Sequence, residues 1–298
     1  MVRYKRTLGD VLFNIPAYTF FALFTVICVF PFYYIFINSV SANDLAATGQ
    51  VLFYPKGFHL DNYLEVFKLK GIGQATLVSV ARTVIGTVSS VFCTCFVAYL
   101  LTKNALWGRK FWYRFIVFTM YFNVGLIPWY INMQMLGLTD NFLAYVIGVI
   151  NPYNLVLTKT FIENIPPSLE ESAELDGAGT FTVFLRIILP LSKPILATTA
   201  VFTAVMQWNQ FMDTVILMND AKLYTLQFLL WQYLSEASSI AKVLQGSGAA
   251  STVDPSRFLS TTSIKMTVSL VVMLPVLFVY PFFQRYFVKG IMLGAVKG

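Results

Sequence analysis

The chain has 298 residues, of which 57% are hydrophobic, 16% aromatic and 12% charged, with a formal net charge of +7. A soluble domain carries about 25% charged residues, so this charge is too sparse to coat a water-facing globule. The basic residues stand at the ends of apolar stretches and form no basic module, which excludes nucleic acid as a partner. Cys28, Cys93 and Cys95 lie in apolar stretches and His59 is the one histidine, so neither a disulfide framework nor a metal site is expected.

A spanning helix needs about 20 mostly apolar residues. No charge occurs between Asp10 and Asp44, and a first span is predicted over 15–38, too long for a cleaved signal peptide. The segment 39–71 is too polar to span. A second span is predicted over 73–102, with Arg82 in its outer third, a third over 115–138 and a fourth over 141–162. The fifth falls at 195–219, with Asp213 inside it, and the sixth at 263–284. Pro16, Pro31, Pro128, Pro152 and Pro275 fall in or beside these spans, which membrane helices tolerate. The loop 220–262 holds a helix-like stretch around Leu226–Leu234, followed by a QGSGAAST run. The expected fold class is all-α: a polytopic membrane protein of six transmembrane helices forming one domain over 1–298.

Six spans place both termini on one side. The short connections there carry Lys103, Arg109, Lys110, Arg114, Lys159, Arg186 and Lys193, besides Arg3, Lys5 and Arg6 before the first span. Arg285, Lys289 and Lys297 follow the last. The positive-inside rule therefore predicts that both termini and the loop 163–194 are cytoplasmic, with 39–71 and 220–262 outside.

The loop 163–194 contains IPPSLEESAELDGAGTFTVFLRIILPLSKP. Ser168 is placed to cap a helix and Glu171 to complete a capping box. Glu170, Glu171 and Glu174 suit the positive end of that helix, and Gly177 suits the position just past its last turn. A second helix is predicted from Thr180 to Leu189, stopped by Pro190. The spacing Glu171-Ser172-Ala173, three residues, Gly177, nine residues, then Ile187-x-Leu189-Pro190 resembles the EAA loop of binding-protein-dependent ABC importers. Ser172 departs from that pattern, one small residue replacing another. Phe53, Pro55, Phe58, Asn62 and Tyr63, the Trp208-Asn209 pair and the terminal FFQRYFVKGIMLGAVKG are similar to carbohydrate permeases of the maltose-transporter type, a MetI-like group.

That resemblance implies a permease subunit of the bacterial inner (plasma) membrane. Its partners would be two ATP-binding subunits, a second homologous permease, an extracytoplasmic solute-binding protein and, as substrate, sugars or oligosaccharides, alginate- or pectin-type fragments among them. It further implies that Glu171, Ser172, Ala173, Asp176, Gly177, Ile187, Leu189 and Pro190 dock on an ATPase. The tail residues Lys289, Gly290, Val296, Lys297 and Gly298 would also touch the ATPases. No GxxxxGK[ST] phosphate loop occurs, so this chain is expected to be a translocation subunit and not an enzyme. It would carry no cofactor of its own, ATP and Mg being held by partner subunits. Trp208, Asn209, Gln210 and Asp213 are candidates for the translocation pathway, with packing between helices the other role open to them. Trp231, Tyr233, Gly246 and Gly248 are candidates for contact with the binding protein, although Trp231 and Tyr233 equally suit the membrane–water boundary. An ion-gradient-driven transporter is the alternative; it would call for ionisable residues at mid-membrane, where Asp213 is the nearest candidate.

Overall fold

The structure, a computed structural model, describes residues 8–69, 71–122, 124–148, 150–235 and 264–278. All regular elements among them are helical. The chain opens with α1 (Leu8–Ser39), α2 (Asn43–Ala47), α3 (Asp61–Lys68) and α4 (Ile72–Leu100). Next come α5 (Arg109–Thr119), α6 (Leu126–Met135), α7 (Pro152–Ile162), α8 (Ser168–Leu175) and α9 (Thr180–Val183). A π turn at Phe184–Ile188 leads into α10 (Leu189–Leu191), then α11 (Lys193–Asn209) and α12 (Met212–Leu217). The last two are α13 (226–235) and α14 (Ile264–Phe278).

Leu12–Ser39 and Ile72–Leu100 are each long and apolar enough to cross a membrane, and a third candidate is a bent pair, Thr180–Leu191 with Lys193–Asn209, at 81°. Of the remaining stretches expected to span, the third, fourth and fifth are interrupted, whereas α14 (Ile264–Phe278) runs unbroken through the described part of the sixth. The third breaks between α5 and α6, where Gly125 takes φ +80° and Pro128 enters the first turn of α6. The fourth is a short 3-10 turn, Phe142–Tyr145, followed by α7. Pro152 opens α7 where its missing N–H costs nothing, and the Asn151 side chain accepts from the Tyr153 N–H at 2.9 Å. The fifth breaks at Gln210–Phe211, between α11 and α12. Non-helical backbone at membrane depth is tolerated where protein buries it or where it lines a cavity, so these breaks are the places to look for function.

Two compact units are distinguished, Met1–Leu69 with Tyr233–Met273, and Lys70–Gln232 with Leu274–Gly298. In the first, α1 leaves Phe20, Phe21, Leu23, Phe24, Val26 and Ile27 exposed, which suits lipid or an apolar partner and not water. Past its C-terminal end the chain folds into a small polar lock. The Asn62 side chain donates to the Ser39 carbonyl at 3.2 Å, Ser39 Oγ pairs with the Tyr63 hydroxyl at 2.7 Å, and the Lys56 N–H donates to Ser41 Oγ at 3.0 Å. Asn62 and Tyr63 therefore hold this segment together, whereas Phe53 and Phe58 remain exposed.

In the second unit α4 packs against α11 and α7. Its buried face runs through Ala75, Ser79, Gly86, Ser90, Thr94 and Ala98, a row of small residues that lets helix backbones approach closely in a membrane. Gly86 is a point of close approach, since a Cβ there would collide with the Gln207 side chain of α11. One core gathers Cys95, Ala98, Tyr99, Leu155, Val183 and Phe184; a second gathers Val78, Met133, Leu138, Tyr145, Leu217 and Met218.

Candidate functional site

The EAA-like segment folds as a short helix on a glycine elbow, but not by the expected cap. Pro167 already has helical angles, φ −63° and ψ −24°, and no side chain caps the helix. Because the Pro166-Pro167 pair presets the turn, Ser168 becomes the first helical residue. The Glu170 and Glu171 N–H groups donate to the Pro167 carbonyl at 3.0 Å. The capping box of Ser168 and Glu171 is thus a correction to the sequence reading. The other end is as expected. Gly177 takes φ +83°, its N–H donates to the Glu174 carbonyl at 3.0 Å, and the Ala178 N–H reaches back to the Ala173 carbonyl at 2.9 Å. This is a Schellman closure, which needs a left-handed residue at Gly177. Open space surrounds that position, so backbone conformation alone requires glycine.

Glu171, Ser172, Asp176, Gly177 and Pro190 are exposed, while Ala173, Ile187 and Leu189 are half-buried and pack on the core around Tyr99 and Phe184. Leu175 is 89% exposed. The sequence reading passed over this apolar residue, whose signal was a leucine between Glu174 and Asp176. Lys103, just past α4, ties α8 down by contacting Glu170 and, at 3.3 Å, Glu174; its ammonium also lies 4.9 Å from the centre of the Tyr99 ring. Partial burial is the largest single influence and works against the Lys103 charge, but the hydrogen bonds and charge interactions with Glu170 and Tyr99 together outweigh it and hold the pKa above the ordinary lysine value. Pro190 does not stop the second helix, which continues to Leu191. The π turn immediately before it has already shifted the hydrogen-bond register that proline would interrupt, and the bend comes at Ser192.

The break in the fifth expected span is held by a buried charge. Arg82, 2% exposed on α4, meets Asp213 through two bonds, at 2.6 and 3.2 Å. It also donates to Gln207 Oε1 at 3.0 and 3.3 Å and to the Gln210 carbonyl at 3.1 Å. A guanidinium has five N–H donors, and each of them has an acceptor here. The Arg82 guanidinium lies 4.3 Å from the centre of the Tyr145 ring. Gln207 in turn donates to the Tyr145 carbonyl at 3.1 Å, and the Tyr145 hydroxyl donates to the Leu223 carbonyl at 2.8 Å. Cation and anion also sit at the favourable ends of the interrupted helix, Arg82 by the last carbonyls of α11 and Asp213 in the first turn of α12. Removing two ions from water costs several kcal/mol each, so a pair at this depth persists only with such complete bonding.

This bracket borders a cavity of about 420 Å³, lined also by Trp129, Met133, Gly148 and Met206. Gln210 and Asp213, two of the pathway candidates, both line this cavity. Trp208 is not: it is 8% exposed and lines a separate apolar pocket of about 70 Å³ with Thr83, Ala204, Val205, Pro275 and Val276. Asn209 donates back to the Val205 carbonyl of its own helix at 2.9 Å and faces outward. Gln207 and Trp129 are lining residues that the sequence does not single out, and Arg82 is noted there only as a charge within a span and not as a lining residue. Their signal was a lone arginine and a lone aspartate of opposite sign in separate apolar spans.

At the far end of α12, Asp140 takes φ +52°, a strained conformation for a non-glycine residue. Its carboxylate accepts from the Asn219 N–H at 2.5 Å, the Asp220 N–H at 2.9 Å and the Asn219 amide at 3.1 Å. These bonds, that from the Asp220 backbone first, hold its pKa below the usual aspartate value. The Leu226–Leu234 expectation is met by α13. There Trp231 stacks on Phe211 and Phe228 at 5.9 and 5.8 Å, and Tyr233 is half-buried. Gly246, Gly248 and the tail residues Lys289, Gly290, Val296, Lys297 and Gly298 lie outside the described residues. No cluster of metal-ligating side chains occurs among the described residues.

Comparison with known proteins places this geometry. Residues 3–293 match the family described as the binding-protein-dependent transport system inner membrane component. The polygalacturonan/rhamnogalacturonan transport system permease protein YtcP of Bacillus subtilis is 38% identical over 288 residues, covering 96% of this chain and 99% of that protein. Protein LplC of the same organism is 38% identical over 273 residues, covering 91% and 90%. Among solved structures, that of a bacterial ABC transporter involved in the import of the acidic polysaccharide alginate superposes with a TM-score of 0.82 at 28% identity, covering 95% of this chain and 99% of that one.

Proposed function

Because the chain belongs to the binding-protein-dependent transport system inner membrane component family, we propose that it is one of two permeases in an ATP-driven importer of oligosaccharides, with fragments of acidic polysaccharides its foremost substrates. The observation that carries this reading is the EAA-like knob itself, a stiff Schellman-closed helix presenting Glu171, Asp176 and Leu175 to solvent and tied through Lys103 to the end of α4. The substrate class is supported by relatives named for polygalacturonan, rhamnogalacturonan and alginate. An ion-gradient mechanism is not supported, since the similar proteins include a probable ABC transporter permease and a solved ABC importer, and Asp213, the candidate for it, is locked to Arg82.

In this reading six spans, several of them interrupted, put both termini in the cytoplasm. Two ATP-binding subunits clamp two knobs, one from each permease, and the tail from Lys289 to Gly298 reaches the same subunits. Closure of the ATPase pair draws the knobs together and swings the spans from inward- to outward-facing. Outside, the loop 220–262 meets the solute-binding protein. ATP and Mg belong to the ATPases, and this chain supplies binding, orientation and movement. The test is purification of tagged chain from its native membrane. Recovery of an ATPase and a second permease, with oligosaccharide uptake lost on deletion of the gene, is expected; a chain recovered alone, with uptake unchanged, overturns the reading.

A further inference from the structure

The cavity beside the bracket has a chemical asymmetry. At about 420 Å³ it falls within the rough 300–1,000 Å³ range of small-molecule sites. Its charged groups are spent. Every Arg82 donor is taken, and both Asp213 oxygens are bonded to Arg82, with Asp213 Oδ1 also accepting from the Thr214 N–H at 2.9 Å. A carboxylate entering the cavity would find no free guanidinium N–H. Trp129 and Gln210 differ. Trp129 is half-buried, packed against the core that holds Met133 and Tyr145, and also borders the cavity. Gln210 is exposed and gives only its backbone carbonyl to Arg82. Neither the indole N–H of Trp129 nor the side-chain amide of Gln210 has a hydrogen-bond partner among the described residues. Both polar groups are therefore left open to a ligand, and the two residues border one cavity.

We propose that Trp129 and Gln210 form a sugar-contact subsite that reads the ring face and hydroxyls of a passing glycan, and that Arg82 is a positioning residue for it that touches no substrate. An indole presents a flat apolar face and one donor, and a carboxamide presents donor and acceptor together, which matches a pyranose with its C–H face and its hydroxyls. Carboxylates of an acidic glycan are left to be neutralised elsewhere. Arg82 acts by fixing Gln207 and the Gln210 carbonyl, so that the break between α11 and α12 keeps one shape.

The inference rests on the proposed function, and the test separates the two. The assembled complex, with its ATPases, second permease and binding protein, is reconstituted in vesicles. Its uptake of short labelled oligogalacturonides, oligoalginates and neutral oligosaccharides is measured, and the best-carried glycan is used thereafter. Trp129→Ala and Gln210→Ala should each lower uptake, Trp129→Ala by about tenfold and Gln210→Ala by less. Trp129→Phe, which keeps a ring face without the N–H, should recover most of the loss. Complex yield reports folding, and the solvent-facing Gln210→Ala keeps the test open should Trp129→Ala assemble poorly. Wild-type uptake rates in Gln210→Ala and in an assembled Trp129→Ala complex overturn the subsite while leaving the transporter intact. Absence of uptake of every glycan by the wild type overturns the function itself.

Discussion

The knob around α8 and the bracket around Arg82 are built by opposite means, although α4 serves both. The knob is largely exposed and made of neighbours in sequence. Its shape follows from Pro167, Gly177 and a short acidic helix, and one partly buried lysine anchors it. The bracket is buried and made of residues 131 positions apart, and it forms only once α4 and α11 are packed through Gly86. Arg82 and Tyr99 lie about 25 Å apart along one helix at 1.5 Å per residue. In the proposed mechanism a displacement imposed on the knob through Lys103 would reach the cavity along α4. Surface chemistry can be altered in the knob at modest cost, whereas the bracket tolerates little.

The largest effect is expected at the bracket. Asp213→Ala strands a buried guanidinium, and breaking such a pair costs about 3–5 kcal/mol. Thermal unfolding and complex yield should both fall sharply. The double variant Arg82→Met with Asp213→Leu removes both charges and should recover much of that stability. Equal damage in single and double variants would show that the charges are not the cause. Next comes the elbow. Gly177→Leu forces a side chain into the left-handed region, at about 1–3 kcal/mol. It should leave insertion intact while cutting binding-protein-stimulated ATPase activity and transport about tenfold. Glu171→Gln should act in the same direction and more weakly.

Part of this contrast was legible in the sequence. Gly177 could be placed because a left-handed helix terminus is a local demand, and α13 because Leu226–Leu234 is continuously helix-compatible. The Ser168 cap failed because two prolines upstream began the turn first, which a motif match does not weigh. Trp208, Asn209, Gln210 and Asp213 are pathway candidates because they lie on the span that runs into the outer loop, yet consecutive helical residues point about 100° apart, and only packing decides which faces a cavity. Arg82 and Asp213 were each noticed singly. Their pairing depends on the register of two helices, which no local pattern fixes.

Smaller effects sharpen the comparison. A cycle of Lys103→Met and Glu170→Gln, read by thermal unfolding, should give a coupling of about 0.5–1 kcal/mol, since both groups are only partly buried. That is far below the value for Arg82 with Asp213. The smallest is at Asp140. Its pKa is lower in the folded chain than the ordinary 3.8, so its contribution is present above that value and is lost as pH falls through the depressed one. Amide protection of Asn219 and Asp220, corrected for intrinsic exchange, should decline only in that acid range. Asp140→Asn should show the same loosening already at neutral pH.

The most direct test of the transport mechanism is the energy source of uptake. Vesicles holding this chain with its second permease and ATPases, and supplied with binding protein outside, are loaded with ATP and Mg. They should then accumulate labelled oligogalacturonide or another acidic oligosaccharide. Accumulation should require both ATP and the binding protein and persist when all ion gradients are collapsed. Uptake that continues without ATP, driven by a proton or sodium gradient, would contradict the assignment.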